Sequence, residues 1–159
     1  MNINIITIGT IKEKYFTDAI KEYTKRLKRY TNLKILELPE EKLGQNSSEK
    51  NIEQTLDKEA DNILSKIGER DYVIVLAIEG KNISSEQLAE TIKDKQVEGY
   101  NTFTFIIGSS YGLHDKVKKR ADYKLSFSKM TFPHQLMRVI LLEQIYRAFK
   151  INTNEPYHK

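Results

Sequence analysis

The sequence predicts an α/β fold, a mostly parallel sheet with helices on both faces. Three observations carry that expectation. Stretches rich in β-branched residues alternate with amphipathic stretches at three- and four-residue apolar spacing, the order of a chain winding strand to helix to strand. The run Tyr72 to Ile78 (YVIVLAI) is apolar without alternation, as expected of a strand covered on both faces and so of a parallel sheet. Glycine follows several of the strands, and such sheets bind ligands outside the carboxyl ends of their strands, where the chain turns.

Each element follows from its own local pattern. Asn2 to Gly9 (NINIITIG) reads as a buried strand closed by a glycine turn. From Glu13 to Tyr30, Phe16, Ala19, Ile20, Tyr23, Leu27 and Tyr30 make one helical stripe, with Lys21, Lys25, Lys28 and Arg29 off it. Leu33 to Leu38 is a short strand ended by Pro39. Glu40 to Ser48 lacks periodicity and reads as a flexible loop, and Ile52, Leu56, Ala60, Ile63, Leu64 and Ile67 mark the next helix. After Tyr72 to Ile78, Glu79 to Lys81 is expected to turn, and Ser84 with Gln87 forms a capping box opening a helix to about Glu98. Thr102 to Ile107 is a strand, followed by the Gly108 to Gly112 turn, a short basic helix near Asp115 to Ala121 and a last strand, Tyr123 to Ser126. Pro133 sits where a first helical turn should begin, and the helix it opens runs to about Lys150. That helix is apolar over most of its circumference, which favours a dimer interface over simple internal burial.

The chain has 159 residues, which fits a single domain spanning 1–159. With no cysteine, disulfides, thiolate metal sites and cysteine nucleophiles are excluded. No apolar run approaches a membrane span and no signal peptide opens the chain, so a cytoplasmic protein is expected. The net charge of +4 is unevenly placed. Gly112 to Lys159 holds ten basic and four acidic residues, Lys12 to Lys34 eight and three, and Glu37 to Asp61 three and eight. Basic blocks of this kind suit an anionic partner such as RNA, or are plain solvated helix faces.

The chemistry-bearing residues lie late in the chain. The turns Glu79 to Lys81, Gly108 to Gly112 and Phe127 to Phe132 all follow strands of the second half and are expected to meet at one crevice. None has the glycine spacing of a dinucleotide fingerprint or a phosphate loop. The run Leu125 to Arg138 (LSFSKMTFPHQLMR) is too bulky for an ordinary connection; its exposed backbone suits an adenine edge, with Phe127, Met130 and Phe132 walling the ring. His134, in a first helical turn where the dipole disfavours an imidazolium, is expected to be neutral. His114 either caps the short helix or meets ligand, and His158, in a polar tail, is either an exposed bystander or a group carried over a site. No motif for metal hydrolysis or a serine nucleophile is present.

The segments LAIEGK (Leu76 to Lys81), FIIGSSYGL (Phe105 to Leu113), LSFSKMTFPHQLMRVILLEQIYRAFKI (Leu125 to Ile151) and EPYHK (Glu155 to Lys159) together resemble the RlmH family, the bacterial ribosomal large subunit methyltransferases H of the SPOUT class. The likeness runs from the first strand to the last residue. It departs at Ser109, where a second glycine is common, and at Ile78 and Glu79, where a Leu-Asp pair is common. The resemblance implies a C-terminal trefoil knot, a homodimer, S-adenosyl-L-methionine as cofactor, no metal, and methylation of N3 of a pseudouridine in the 23S rRNA loop at the ribosomal subunit interface. By motif match, Leu76, Gly80, Gly108, Ser109 and the loop Phe127, Ser128, Lys129, Met130, Thr131 and Phe132 line the cofactor. Tyr157 and His158 are expected to fold over the partner subunit's cofactor site, with Arg138 stabilising developing negative charge or gripping phosphate. The competing expectation is a non-catalytic, ribosome-associated RNA-binding module.

Overall fold

The computed structural model describes residues 1–159. Five strands and five helices alternate: β1 (Asn2–Ile8), α1 (Lys14–Leu27), β2 (Asn32–Leu38), α2 (Glu49–Leu64), β3 (Tyr72–Asn82), α3 (Ser85–Val97), β4 (Thr102–Ile107), α4 (Asp115–Arg120), β5 (Tyr123–Ser126) and α5 (His134–Asn152). The strands form one sheet in the order β2-β1-β4-β3-β5, and every pairing is parallel. No helix is long and apolar enough to cross a membrane.

Side-chain alternation along the buried strands splits the interior into two cores. Ile3, Ile5, Phe103, Phe105 and Ile74 point to one face, where α1, α3 and α5 cover them through Leu27, Leu88, Ile92, Leu141 and Ile145. Ile6, Ile8, Val73, Val75 and Ile106 point to the other, under Ala60 and Ile63 of α2 and Val117 of α4. Because both faces are covered, the strands need no polar side, which is why the YVIVLAI run lacks alternation. The capping box forms as the sequence predicts: Ser84 Oγ accepts from the Gln87 N–H at 3.1 Å, and Gln87 Oε1 accepts from the Ser84 N–H at 2.9 Å.

The expected turn at Glu79 to Lys81 is not a turn. Strand β3 continues to Asn82, with Leu76 and Lys81 both opposite Leu125, so Ala77 to Gly80 are looped out of the ladder as a bulge. Pairing resumes because Gly80 lets the two backbones touch; a Cβ there would lie 2.7 Å from the backbone C and O of Lys124. The start of β5 is fixed on β3 by Asp122, whose N–H donates to Val73 O at 2.9 Å and whose carboxylate accepts from Val73 N at 2.8 Å. At the other end, α5 runs two residues past the expected Lys150, to Asn152.

Candidate cofactor cleft and docked tail

The carboxyl ends of β3, β4 and β5 open into one cavity of about 660 Å³. Three segments build it, as the sequence predicts: the β3 bulge, the Gly108 to Gly112 turn and the loop after β5. The turn requires its glycines. A Cβ on Gly108 would meet Gly112 O at 2.5 Å, and Gly112 has φ +87, a conformation that side-chain-bearing residues rarely adopt. The Gly112 N–H closes the turn on Ser109 O at 2.9 Å. In the loop, Ser126 Oγ donates to Ser128 O at 3.1 Å and Ser128 Oγ accepts from the Met130 N–H at 3.0 Å, shaping the backbone that carries Phe127 and Phe132.

Of the residues expected at the cofactor, Leu76, Gly108, Ser109, Phe127, Ser128, Met130, Thr131 and Phe132 line this cavity. Gly80 and Lys129 are not among the lining residues. Gly80 serves the β3–β5 contact instead, and Lys129 is exposed. Ala77, Ile78 and Met137 also line the cavity, a placement local pattern does not reveal because the bulge and the packing of α5 arise from long-range pairing. His134 lines it too, and burial lowers its pKa, so the ring is favoured neutral as the helix position predicts. His114 caps α4: its Nδ1 accepts from the Lys116 N–H at 3.1 Å, leaving Nε2–H for Glu53 Oε1 at 2.7 Å.

Arg138 does not stand open to a phosphate. It is 4% exposed, with Nη1 donating to Glu37 Oε2 at 2.7 Å and Nη2 to Gly9 O at 2.6 Å and Ile8 O at 3.4 Å. Only Nε lacks a partner. The guanidinium therefore ties the start of α5 to the carboxyl ends of β1 and β2, as a fork suited to carbonyl and carboxylate acceptors.

The tail is docked on the body of the chain. Tyr157 donates its hydroxyl to Glu143 Oε2 at 2.8 Å, and its ring lies under the Arg147 guanidinium, 4.7 Å from the centroid. Arg147 is itself held by Glu143 Oε1, at 2.9 and 2.7 Å. His158 sits between Arg147 Nη1, 3.2 Å from Nδ1, and Glu86 Oε1, 2.6 Å from Nε2. Arginine only donates, so the pattern assigns the proton to Nε2 and leaves Nδ1 as the acceptor. Bonds from its own backbone N–H and from His158 hold the Glu86 carboxyl down at about 2. Upstream, Glu155 is lowered to about 2 by Lys150, Tyr30 and Thr153. Sequence reasoning named the tail residues but missed Glu143 and Arg147, although their i, i+4 spacing on a helix is a readable pairing signal.

The basic C-terminal block is largely neutralised within the chain. Lys116 pairs with Asp57 and Asp61, Lys118 with Glu79, Arg120 with Asp122, Arg138 with Glu37, Arg147 with Glu143 and Lys150 with Glu155. Lys119, Lys124, Lys129 and Lys159 make no ion pair and keep their charge toward solvent.

The five-stranded parallel sheet with a glycine-turn cleft at its carboxyl edge is that of a SPOUT-class methyltransferase. The family model described as a predicted SPOUT methyltransferase matches residues 1–158. Two solved structures share the fold: a probable methylase family protein from Haemophilus influenzae Rd KW20, with TM-score 0.55 and 16% identity over 99% of this chain and 70% of that one, and a tRNA methyltransferase from Aquifex aeolicus, with TM-score 0.54 and 10% identity over 92% and 70%. Proteins named ribosomal RNA large subunit methyltransferase H are far nearer in sequence. Those from Clostridioides difficile (strain 630) and Streptococcus suis (strain 05ZYH33) are 57% and 55% identical over the full length of both chains. The chain belongs to this methyltransferase H family of the SPOUT class.

Replacing Arg138 by Met should lower the unfolding free energy by about 2 kcal/mol or more in a urea titration, because two carbonyls and Glu37 lose a buried donor. A loss near zero would contradict its assignment as a structural tie.

Proposed function

We propose that this chain is an S-adenosylmethionine-dependent methyltransferase of large-subunit ribosomal RNA, acting at N3 of a pseudouridine in 23S rRNA and working as a homodimer. The observation that carries the reading is the single cavity in which three chain segments meet. Its volume suits a nucleoside-sized ligand, about half of its lining residues are apolar, and its turn opens at Gly108, where no Cβ fits. The names of the full-length relatives support the RNA substrate.

S-adenosylmethionine, when bound, supplies an electrophilic methyl group on its sulfonium. Leu76 and the loop from Phe127 to Phe132 would hold its adenosine, and the Gly108 to Ser109 backbone would lie against it without side-chain interference. The reacting imide nitrogen carries a proton that must leave as its electron pair is used, so an acceptor has to stand near the cleft. His158 offers one at Nδ1, once an incoming group displaces Arg147 Nη1. Tyr157 and His158 lie beyond the end of α5, whereas His134 and Met137 at its beginning line the cavity. The tail doubles back onto Glu143 and Arg147 of α5, and neither Tyr157 nor His158 lines the cavity, so the tail is left to serve a site other than its own chain's. A second copy, packed on the half-exposed Leu136, Val139 and Ile140 of α5, is the arrangement that brings a tail to a cavity. Lys124 and Lys129, free of partners near the cavity, are placed to meet RNA phosphate.

Incubation with methyl-labelled S-adenosylmethionine should label 23S rRNA in assembled ribosomes or as free RNA. No label in either would favour the non-catalytic RNA-binding alternative. Lys129→Gln should weaken ribosome binding and flatten the dependence of log K on log salt concentration by about one charge, with cofactor affinity unchanged. An unaltered salt slope would remove Lys129 from the RNA contact.

A further inference from the structure

Among the side chains lining the cavity, only Glu79 and Lys118 are fully charged at neutral pH. They come from different elements. Glu79 rides on the β3 bulge and Lys118 on α4, just after the glycine turn, and Glu79 Oε1 meets Lys118 Nζ at 2.6 Å. The remaining lining polarity is hydroxyl and backbone, with His134 favoured neutral by burial. The hydrogen bond from Lys118 is the largest cause of the lowering of the Glu79 pKa, which favours the carboxylate form of Glu79.

We propose that Glu79 and Lys118 form a subsite for the α-amino-acid head group of the cofactor, with Lys118 taking the carboxylate and Glu79 the ammonium. The proposal rests on the cofactor reading above and deepens it. An α-amino acid carries its two opposite charges one carbon apart, and the protein pair presents the opposite charges in direct contact. Docking the head group beside the pair gives every charge a neighbour of opposite sign, and neither protein ion is stranded. A phosphate offers only negative charge. It would have to take Lys118 from Glu79 and leave a carboxylate unpaired at the cavity wall, so the same pair discriminates against nucleotides. An ordinary surface ion pair of this exposure contributes little to folding, which leaves both residues free to serve binding.

The test compares two ligands that differ only in the substituent on sulfur, an aminocarboxypropyl chain in one and a methyl in the other. S-adenosylhomocysteine has the amino-acid moiety; 5′-methylthioadenosine keeps the adenosine and thioether but lacks it. By calorimetry, Lys118→Met and Glu79→Gln should each weaken S-adenosylhomocysteine by about tenfold while 5′-methylthioadenosine stays within about twofold of wild type, as expected for loss of one charge-assisted bond. Unchanged S-adenosylhomocysteine affinity in both variants would show a rim ion pair without a ligand role. Equal weakening of both ligands would show that the pair shapes the cavity and does not read the head group. A wild-type protein binding neither compound would overturn the cofactor reading itself, and this proposal with it; binding of both with unaffected variants would overturn this proposal alone.

Discussion

The close backbone contact between Gly80 and β5 is the constraint on which the functional edge of the molecule depends. Two strands can run this near each other only where one lacks a Cβ, and the 2.7 Å clearance at Lys124 leaves no room for any other residue without a backbone shift. Because pairing resumes beyond that point, Ala77 to Gly80 are forced out of the ladder, and the bulge becomes a wall of the cavity. The same pairing holds β5, and therefore the loop from Phe127 to Phe132, against the end of β3. Bulges beside active sites commonly re-aim side chains in this way. Here the bulge carries Glu79 to the cavity rim.

Electrostatics then divides the cationic residues into two groups with different work. Six of the ten basic residues in the C-terminal block are paired within the chain, Lys116 with two acids of α2, Lys118 with one of β3 and Arg138 with one of β2, so the block is in part a means of docking α4 and α5 onto the rest of the molecule. Arg138 is the extreme case, buried and bonded to carbonyls and to Glu37 beneath the start of the last helix. The lysines left over lie on strand β5 and the loop after it, on α4 and at the tail's end, where charge toward solvent is available to phosphate. The tail is held by the opposite device, a carboxylate at Glu143 that gathers Tyr157 and Arg147 on the middle of a long helix whose first turn lines the cavity. Together these features describe a chain that owns a cleft and a tail but keeps them apart.

The parts of this structure legible in the sequence are those set by short-range pattern. Strand and helix order, the Ser84 and Gln87 capping box and the cap at His114 follow from residues within a turn or two of one another, and the meeting of three late segments follows from the parallel sheet that order implies. What the sequence did not disclose depends on partners far along the chain. The bulge depends on where β5 lands on β3. The burial of Arg138 depends on Glu37, 101 residues away. The neutralisation of Lys116 depends on α2 facing α4, and the placement of His158 on Glu86, 72 residues earlier. Net charge counted along a chain overstates what reaches solvent whenever acidic and basic blocks fold against each other.

The central claim is that a working site takes its cleft from one chain and its tail from another, and a mixed-protomer experiment tests it directly. A His158→Ala chain keeps its cavity but lacks the tail group, and an Ala77→Trp chain has a filled cavity with an intact tail. Each alone should transfer little methyl to ribosomal RNA. Co-expressed and purified as mixed assemblies, they should recover transfer well above either parent, because an intact tail meets an intact cavity across the interface. Mixed assemblies no more active than the parents would contradict a shared site.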